Sequence, residues 1–133
     1  MKFIPYLVFS GKAEEALNFY HASLGGEPSK IMRFGDMPNP EIPAAFSQYV
    51  LHAELKAGGL LLYFSDSPSD VAVGTNVSLL LDCESEKQVD EVFAKLADGG
   101  KVDMAPQKMF WNAYYANFID KYGVSWQLNY TLA

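Results

Sequence analysis

The sequence is poor in several residue types, and each shortage excludes a class of function. Cys83 is the one cysteine among 133 residues, so no intrachain disulfide and no cysteine-rich zinc site can form. Lys and Arg number 10 against 16 Asp and Glu, which gives a formal net charge of -6. Because phosphate backbones are bound by clustered cationic side chains, we expect no nucleic acid partner.

Long hydrophobic runs are also absent. No apolar stretch approaches the ~20 residues that are needed to cross a bilayer, so we expect no membrane partner. The apolar segment Phe3 to Phe9 is broken by Pro5 and lacks a cleavage site of small residues, which is not typical of a signal peptide. The expectation is therefore a single cytoplasmic domain that is long enough to bury its own core.

Aromatic residues, in contrast, are abundant: nine Phe, eight Tyr and two Trp make up 14% of the chain. Aromatic rings supply large contact areas and, in Tyr and Trp, a polar group at one end. We expect part of them to pack in the core and the rest to gather around a binding site.

The chain predicts the same order of elements twice: a strand, a helix and three further strands. In the first half the strands are Phe3–Phe9, Glu27–Phe34, Ser47–Lys56 and Leu60–Ser65, and the helix is Lys12–Ser23. In the second half the strands are Thr75–Asp82, Lys101–Ala105, Ala113–Ile119 and Val124–Tyr130, and the helix is Ser85–Ala97. Ser85 and Gln88 have the spacing of a capping box.

A glycine pair follows each helix, and a shift of about 73 positions aligns Leu7 with Leu80 and Tyr20 with Phe93. This repeat predicts an α+β fold of two paired βαβββ modules, residues 1–68 and 74–133 in outline, since one such module cannot cover both faces of its sheet. Chance similarity between two amphipathic helices is the alternative explanation.

Seven segments together carry a resemblance to a known family. They are Pro5–Phe9, Glu14–Tyr20, His52–Leu55, Val77–Leu79, Gly99–Val102, Phe110–Asn112 and Asp120–Asn129. In this order the chain resembles the vicinal-oxygen-chelate superfamily, which contains glyoxalase I, extradiol dioxygenases and bleomycin-resistance proteins. Within the superfamily it is most similar to the PhnB-like branch.

The resemblance implies an eight-stranded cupped sheet with the helices outside, a small-molecule ligand inside the cup, and a homodimer. Metal-dependent members place their ligands on the first and last strands of each module. Here those positions are Pro5, Asn76, Gln127 and either Leu62 or Tyr63. None is His, Asp or Glu, so we expect no metal and no other cofactor.

Strand alternation indicates which side chains would face the ligand, because successive residues point to opposite faces. In the last strand Trp126 and Leu128 share the apolar face, so the polar face should look into the cup. The predicted pocket residues from strands are Tyr63, Asn76, Ser78, Ser125, Gln127 and Asn129.

His52 and Glu54 share one face of a strand and are the candidate catalytic residues, as a base and the acid that orients it. The alternative, which we weigh more heavily, is a polar pair on an exposed or dimer-facing edge. His21, near the end of the first helix, is interpreted as surface structure, and Cys83 as structural.

The segment from Phe110 to Tyr115 is the densest aromatic cluster. Trp111 and one of the tyrosines would stack on a flat ligand that Asn112 orients, and we expect Phe110 and Tyr114 among the pocket residues. These rings could equally fill the cup or cover a subunit interface. The proline-containing loop Arg33–Phe46 is either a lid or, as we favour, an ordinary connection.

We therefore hypothesise a PhnB-like, glyoxalase-fold protein with a metal-independent pocket that binds or acts on a small molecule. Whether it is an enzyme stays open. The alternative is a metal-dependent lyase, isomerase or dioxygenase of the same superfamily. The branch is sometimes labelled a demethylubiquinone methyltransferase, but the sequence has no glycine-rich strand-to-helix turn followed by an acidic residue, so we do not expect that activity.

Overall fold

The computed structural model of the chain describes residues 1–38 and 41–133, which form two compact units, Met1–Ala72 and Val73–Ala133. Part of the predicted loop Arg33–Phe46 therefore lies outside the described residues. Within the described ranges each unit is a mixed sheet with one α-helix. None of the described helices is long and apolar enough to span a bilayer.

The first unit is a five-stranded sheet with one α-helix. Its elements are β1 (Tyr6–Phe9), α1 (Ala13–Leu24), β2 (Glu27–Pro28), β3 (Met32–Arg33), β4 (Val50–Ala57) and β5 (Leu60–Asp66), with short 3-10 turns at Phe34–Asp36 and Ala44–Phe46. The strand order is β1-β5-β4-β2, and β3 also pairs with β4. Strand β1 runs parallel to β5, and the other pairs are antiparallel.

The second unit repeats this connectivity. Its elements are β6 (Leu79–Asp82), α2 (Glu86–Leu96), β7 (Lys101–Met109), β8 (Ala113–Ile119) and β9 (Ser125–Thr131), in the strand order β6-β9-β8-β7. The first strand again runs parallel to the last. The predicted α+β class with two βαβββ modules is confirmed.

Five predicted strands differ from the observed ones by three residues or more. The strands predicted from Phe3 and Ser47 begin three residues later, at Tyr6 and Val50. The strand Glu27–Phe34 is wrong as one element, because the chain leaves the β4 ladder at Ser29, whose hydroxyl accepts a hydrogen bond from the Glu54 amide at 2.8 Å. The strand predicted from Thr75 starts only at Leu79, which is opposite Trp126 near the beginning of β9. Strand β7 continues through Pro106, which an edge strand tolerates because it needs no hydrogen-bond donor on its outer side.

Each α-helix covers one face of its own sheet. Tyr20 of α1 is fully buried and its ring lies 5.8 Å from that of Phe64 on β5. In the second unit the Phe93 ring of α2 contacts Phe118 of β8 at 5.6 Å, and Trp126 is buried in the same layer. Alternation along the strands therefore puts the apolar side chains under the helix and leaves the other face of each sheet to the remaining residues.

The two helices begin with different caps. Ser85 caps α2 by accepting the Gln88 amide at 3.0 Å, as the sequence predicts. The Lys12 side chain does not cap α1. The buried Asp66 carboxylate, at the end of β5, caps the helix instead. Its Oδ1 accepts the amides of Gly11 and Ala13 at 2.9 Å each. Its Oδ2 accepts the amide of Val50 at 2.9 Å, so one carboxylate joins α1, β4 and β5.

The connection after β3 is held to α1 by an ion pair. The Arg33 guanidinium donates to both carboxylate oxygens of Glu14, at 3.1 and 3.0 Å, and to the Gln48 carbonyl at 2.8 Å. The hydrogen bond from Arg33 lowers the pKa of Glu14. This anchoring favours the interpretation of the segment as an ordinary connection.

Replacing Asp66 by Ala leaves three backbone amides without their acceptor, and we expect the free energy of unfolding to fall by about 3 kcal/mol. Urea unfolding followed by circular dichroism measures the change. Asp70→Ala, in the exposed loop after β5, is the matched control and should leave the midpoint nearly unchanged. A loss below about 1 kcal/mol for Asp66→Ala would show that this carboxylate does not hold α1 in place.

Candidate functional site

The face of the first sheet that α1 leaves uncovered carries a chain of hydrogen-bonded side chains. His52 Nε2 lies 2.9 Å from Glu54 Oε2, and His52 Nδ1 lies 3.0 Å from the Tyr6 hydroxyl. His52 and Glu54 are two residues apart on β4 and therefore point to the same side of the sheet, while Ala53 between them is buried. We call Tyr6, His52 and Glu54 the Tyr–His–Glu chain.

Tyr63 packs against this chain at its centre. Its ring meets the His52 ring edge-on at 4.7 Å and the Tyr6 ring at 5.6 Å. The register explains the contact, because Tyr63 on β5 is opposite both Tyr6 on β1 and Glu54 on β4. The Tyr6 ring also lies 5.7 Å from the His52 ring. Two hydrogen bonds and two ring contacts, with Tyr6 and Tyr63, therefore fix the orientation of the His52 imidazole.

The protonation pattern of the chain follows from its partners. An ionised Glu54 can only accept, so it holds the proton of a neutral imidazole on Nε2. Nδ1 then accepts the Tyr6 hydroxyl proton, and the Tyr6 oxygen keeps lone pairs for another donor. The side chains of His52 and Glu54 are 22% and 32% exposed, whereas Tyr6 is 48% exposed. Tyr6 is therefore the end of the chain that a ligand can reach most easily.

The uncovered face of the second sheet carries a cluster of neutral groups. The Tyr115 hydroxyl donates to Gln127 Oε1 at 2.5 Å, and the Asn117 amide donates to the Tyr115 oxygen at 3.4 Å. The Trp111 ring meets Tyr115 edge-on at 5.7 Å. We call Trp111, Tyr115, Asn117 and Gln127 the amide cluster.

The two faces are equivalent by register. Gln127 on β9 is opposite Asn117 on β8 and Leu80 on β6. It therefore occupies in the second unit the position that Tyr63 occupies in the first, and Asn117 takes the position of Glu54. The first unit therefore has the carboxylate of Glu54 where the second has the amide of Asn117, and the imidazole of His52 where the second has the phenol of Tyr115.

The predicted site residues are distributed over both faces. His52, Glu54 and Tyr63 come together in the first unit. In the second unit Trp111 contacts Tyr115, and Ser125, Gln127 and Asn129 share one face of β9, with the Asn129 amide donating to Asp82 at 3.1 Å. Phe110 packs on Trp111 at 5.0 Å but is 96% exposed at the tip of the β7–β8 turn.

Two residues of the aromatic segment have other partners than the sequence indicates. Tyr114 shares the face of the buried Ala116 and Phe118, and its hydroxyl donates to Asp90 of α2 at 2.7 Å. Its placement beside Trp111 is thus corrected, and Tyr115 takes that place. Asn112 has a φ of 63°, and its amide donates to the Leu132 carbonyl at 2.9 Å. It shapes the turn, since Asn tolerates this left-handed conformation.

Two further predicted residues precede β6 and lie outside the strand. Asn76 is exposed. The Ser78 hydroxyl is buried, and no hydrogen-bond partner stands beside it within residues 1–38 and 41–133. The prediction that both face the pocket assumed that the strand includes them. This is wrong, because the pairing of β6 with β9 begins only at Leu79.

Sequence reasoning missed Tyr6, Tyr115 and Asn117. Tyr115 and Asn117 could have been found from the alternation of β8. They are separated by two positions and lie on the face opposite the apolar Ala116 and Phe118. Tyr6 lies on the opposite side of β1 from Leu7, but its contact with His52 needs the parallel pairing of β1 with β5, for which no local signal exists.

The donor groups do not fit a catalytic transition metal. The residues 1–38 and 41–133 contain no group of three His, Cys, Asp or Glu side chains that could hold an ion. At the positions that the superfamily resemblance marks, Leu62 is buried on the helix side and Gln127 is hydrogen-bonded to Tyr115. A zinc site normally needs three such protein ligands. Cys83 adds no reactive thiolate, because burial raises the pKa of its thiol.

Comparison with known proteins decides the family. The sequence model of the family described as 3-demethylubiquinone-9 3-methyltransferase matches residues 1–129. The chain belongs to this family. Protein YjdN of Escherichia coli (strain K12) is 32% identical over an alignment 139 positions long, which covers 97% of this chain and 95% of that protein.

Solved structures show that proteins outside the PhnB-like family share this fold. A Bacillus cereus PhnB protein titled a putative 3-demethylubiquinone-9 3-methyltransferase is 34% identical, with a TM-score of 0.81 over 98% of this chain and 100% of that chain. Protein PA1353 from Pseudomonas aeruginosa is 32% identical, with a TM-score of 0.88 over 100% and 99%. A glyoxalase/bleomycin resistance protein/dioxygenase from Nocardioides shares 21% identity and a TM-score of 0.60 over 99% and 85%, which shows the fold.

The Tyr–His–Glu chain of this PhnB-like protein predicts one tautomer of His52. At a pH where the ring is neutral, ring-nitrogen NMR should show the proton on Nε2 and a hydrogen-bonded Nδ1. Tyr6→Phe should move the Nδ1 signal towards that of an unbonded nitrogen and leave Nε2 nearly unchanged. His21, which lies near the end of α1, is the internal control. A proton on Nδ1, or an Nδ1 signal insensitive to Tyr6→Phe, would contradict the assignment.

The position of Tyr114 on the helix side predicts its titration. The hydrogen bond to Asp90 raises the pKa of the Tyr114 hydroxyl. The bond therefore stabilises the fold below the unfolded-state value of about 10 and is lost as the pH rises through the folded-state pKa. Asp90→Asn should lower the pKa of Tyr114, measured by NMR of the labelled ring, whereas the exposed Asp98→Asn should not. An unchanged value in Asp90→Asn would contradict the placement.

Proposed function

We propose that this PhnB-like protein binds a small molecule on the uncovered face of its first sheet, without a metal ion. The observation that carries the proposal is the Tyr–His–Glu chain, which presents an exposed hydroxyl backed by an imidazole and a carboxylate. Such convergent polar groups beside aromatic rings are typical of ligand sites. The alternative, a polar pair on an exposed strand edge, would not require the Tyr6 and Tyr63 rings that contact His52.

The chain can adapt to either kind of polar ligand atom. With neutral His52, the Tyr6 proton is engaged by Nδ1, and the Tyr6 oxygen accepts from a ligand donor. With protonated His52, Nδ1 donates to the Tyr6 oxygen, and the Tyr6 proton is free for a ligand acceptor. Tyr63 supports an apolar part of the ligand beside this polar contact.

The amide cluster of the second unit supports binding of a planar, polar group there. The Gln127 amide still has donor capacity, and Trp111, which is 48% exposed, offers a face for stacking. Ser125 and Asn129 extend the same polar strand face. All groups of the cluster are uncharged, so it suits a neutral carbonyl or amide rather than an ion.

Metal independence is supported by the donor set, since His52 and Glu54 supply only two of the three ligands that a catalytic zinc normally takes. Methyl transfer is not proposed, whatever the family description. The turn from β1 to α1 is Ser10-Gly11-Lys12, and the helix start is occupied by the chain's own Asp66 carboxylate, which leaves no cradle for an anionic cofactor group. A homodimer and a cytoplasmic location stay predictions.

A second candidate function is acid–base catalysis without a metal, as in a lyase or isomerase. It is favoured by the continuous path of hydrogen bonds from Tyr6 to Glu54. In this mechanism Tyr6 exchanges a proton with the substrate while His52 takes up or supplies it, and Glu54 stabilises the charged imidazole. NMR of a bound ligand separates the two functions, because an enzyme converts the ligand and a binding protein returns it unchanged.

The proposed function predicts that ligands bind without a metal ion and that their affinity depends on Tyr6 and His52. In a thermal-unfolding screen of small molecules with EDTA present, we expect compounds that raise the melting temperature of the wild type. Tyr6→Phe removes the hydroxyl that meets the ligand, and His52→Gln removes its support. In either variant we expect the affinity to fall about tenfold or more, since a hydrogen bond to a charged or polarised group contributes 1.5 kcal/mol or more.

His21→Gln is the matched control, because it replaces the other histidine of the chain. It should bind as the wild type does. Ligands that require an added divalent ion, or that bind equally well to Tyr6→Phe and His52→Gln, would contradict the proposal.

A further inference from the structure

An open cleft of ≈ 210 Å³ borders the Tyr–His–Glu chain. It is lined by Glu27, Pro28, Ser29, Glu54 and Lys56. Glu54 belongs to both features: its Oε2 accepts from His52, and the residue also forms a wall of the cleft. The cleft is too small for a whole drug-sized ligand and has the size of one ligand end.

The cleft lies on the same sheet face as the chain. Glu54 and Lys56 are two residues apart on β4 and thus point to one side, with their Cα atoms about 7 Å apart. Glu27 on β2 is directly opposite Lys56, so its side chain emerges beside that of Lys56. A ligand in the cleft would therefore continue along β4 towards His52.

The charges that line the cleft are not matched to one another. Within the residues that the structure describes, neither Glu27 nor Lys56 forms an ion pair, and Glu54 pairs only with His52. Ser29 is fixed in the wall, because its hydroxyl accepts the Glu54 amide at 2.8 Å and donates to the Lys30 carbonyl at 3.0 Å. The second oxygen of Glu54, the Glu27 carboxylate and the Lys56 ammonium group thus remain available at one small opening.

We infer that this cleft is a subsite for the ammonium-carboxylate end of a small zwitterion of the amino-acid type. A primary ammonium carries three N–H donors, which the carboxylates of Glu27 and Glu54 can accept. The ligand carboxylate then pairs with Lys56. A simple amine would leave Lys56 without a partner, and a simple acid would leave both carboxylates without one, whereas a zwitterion pairs with groups of both signs.

The inference rests on the proposed function and names its ligand class. The ammonium binds next to Glu54, so the rest of the ligand reaches over Tyr63 to the Tyr6 hydroxyl. The charged end is recognised by the cleft and the reacting or polar end by the Tyr–His–Glu chain.

The test compares three probes that share a three-carbon chain: β-alanine, propionate and propylamine. Amide NMR spectra of the full chain are recorded during titration with each. We expect β-alanine to shift the signals of residues 27–29 and 54–56, with a Kd about tenfold lower than those of the single-charge probes. Lys56→Met should abolish the preference for β-alanine over propylamine, and Glu27→Gln should weaken β-alanine about tenfold. Lys108→Met, on the exposed side of β7, is the matched control and should bind β-alanine as the wild type does.

Three results would each overturn the inference. The first is the absence of β-alanine shifts at residues 27–29 and 54–56. The second is equal binding of the three probes by the wild type, and the third is an unchanged preference for β-alanine in Lys56→Met. If the screened ligands still bind more weakly to Tyr6→Phe and His52→Gln, the proposed function holds although the inference fails. If they bind both variants as well as the wild type, the proposed function is contradicted too.

Discussion

The single α-helix of each unit can cover only one face of its sheet, and this constraint decides where function can reside. Strand alternation sends Ala53, Leu55 and Phe64 under α1, and Phe118, Trp126 and Leu128 under α2. The residues between them must then point to the other face. Polar side chains that would be costly under a helix are collected there, which is how His52 and Glu54 come to lie beside Tyr63. The core and the candidate site are thus two consequences of one periodicity.

The same constraint acts on both units, but the residues on the uncovered face of each sheet differ. Equivalent register positions hold Glu54 and Tyr63 in the first unit and Asn117 and Gln127 in the second. A carboxylate and an imidazole can carry charge and move protons, whereas amides and a phenol only donate and accept hydrogen bonds near neutral pH. The repeat has therefore kept its packing face and changed the chemistry of its open face.

Features that depend on short separations along the chain could be predicted from the sequence. Both helices, the capping by Ser85, and the shared face of His52 and Glu54 follow from spacings of two to four residues. Tyr114 was misplaced because two adjacent tyrosines look alike until the buried side of β8 is known. The start of β6, the cap by Asp66 and the contact of Tyr6 with His52 depend on pairing between distant strands, and no local pattern encodes those partners.

The central claim is that a small molecule is bound through the Tyr6 hydroxyl, with His52 and Glu54 behind it and no metal between them. The most direct measurement is a crystal structure of the protein with its strongest screened ligand, grown in EDTA. The account predicts a polar ligand atom within hydrogen-bond distance of the Tyr6 oxygen, and the His52 contacts to Tyr6 and Glu54 intact. A ligand that makes no contact with the Tyr6 hydroxyl, or one held through a metal ion on His52 or Glu54, would contradict it.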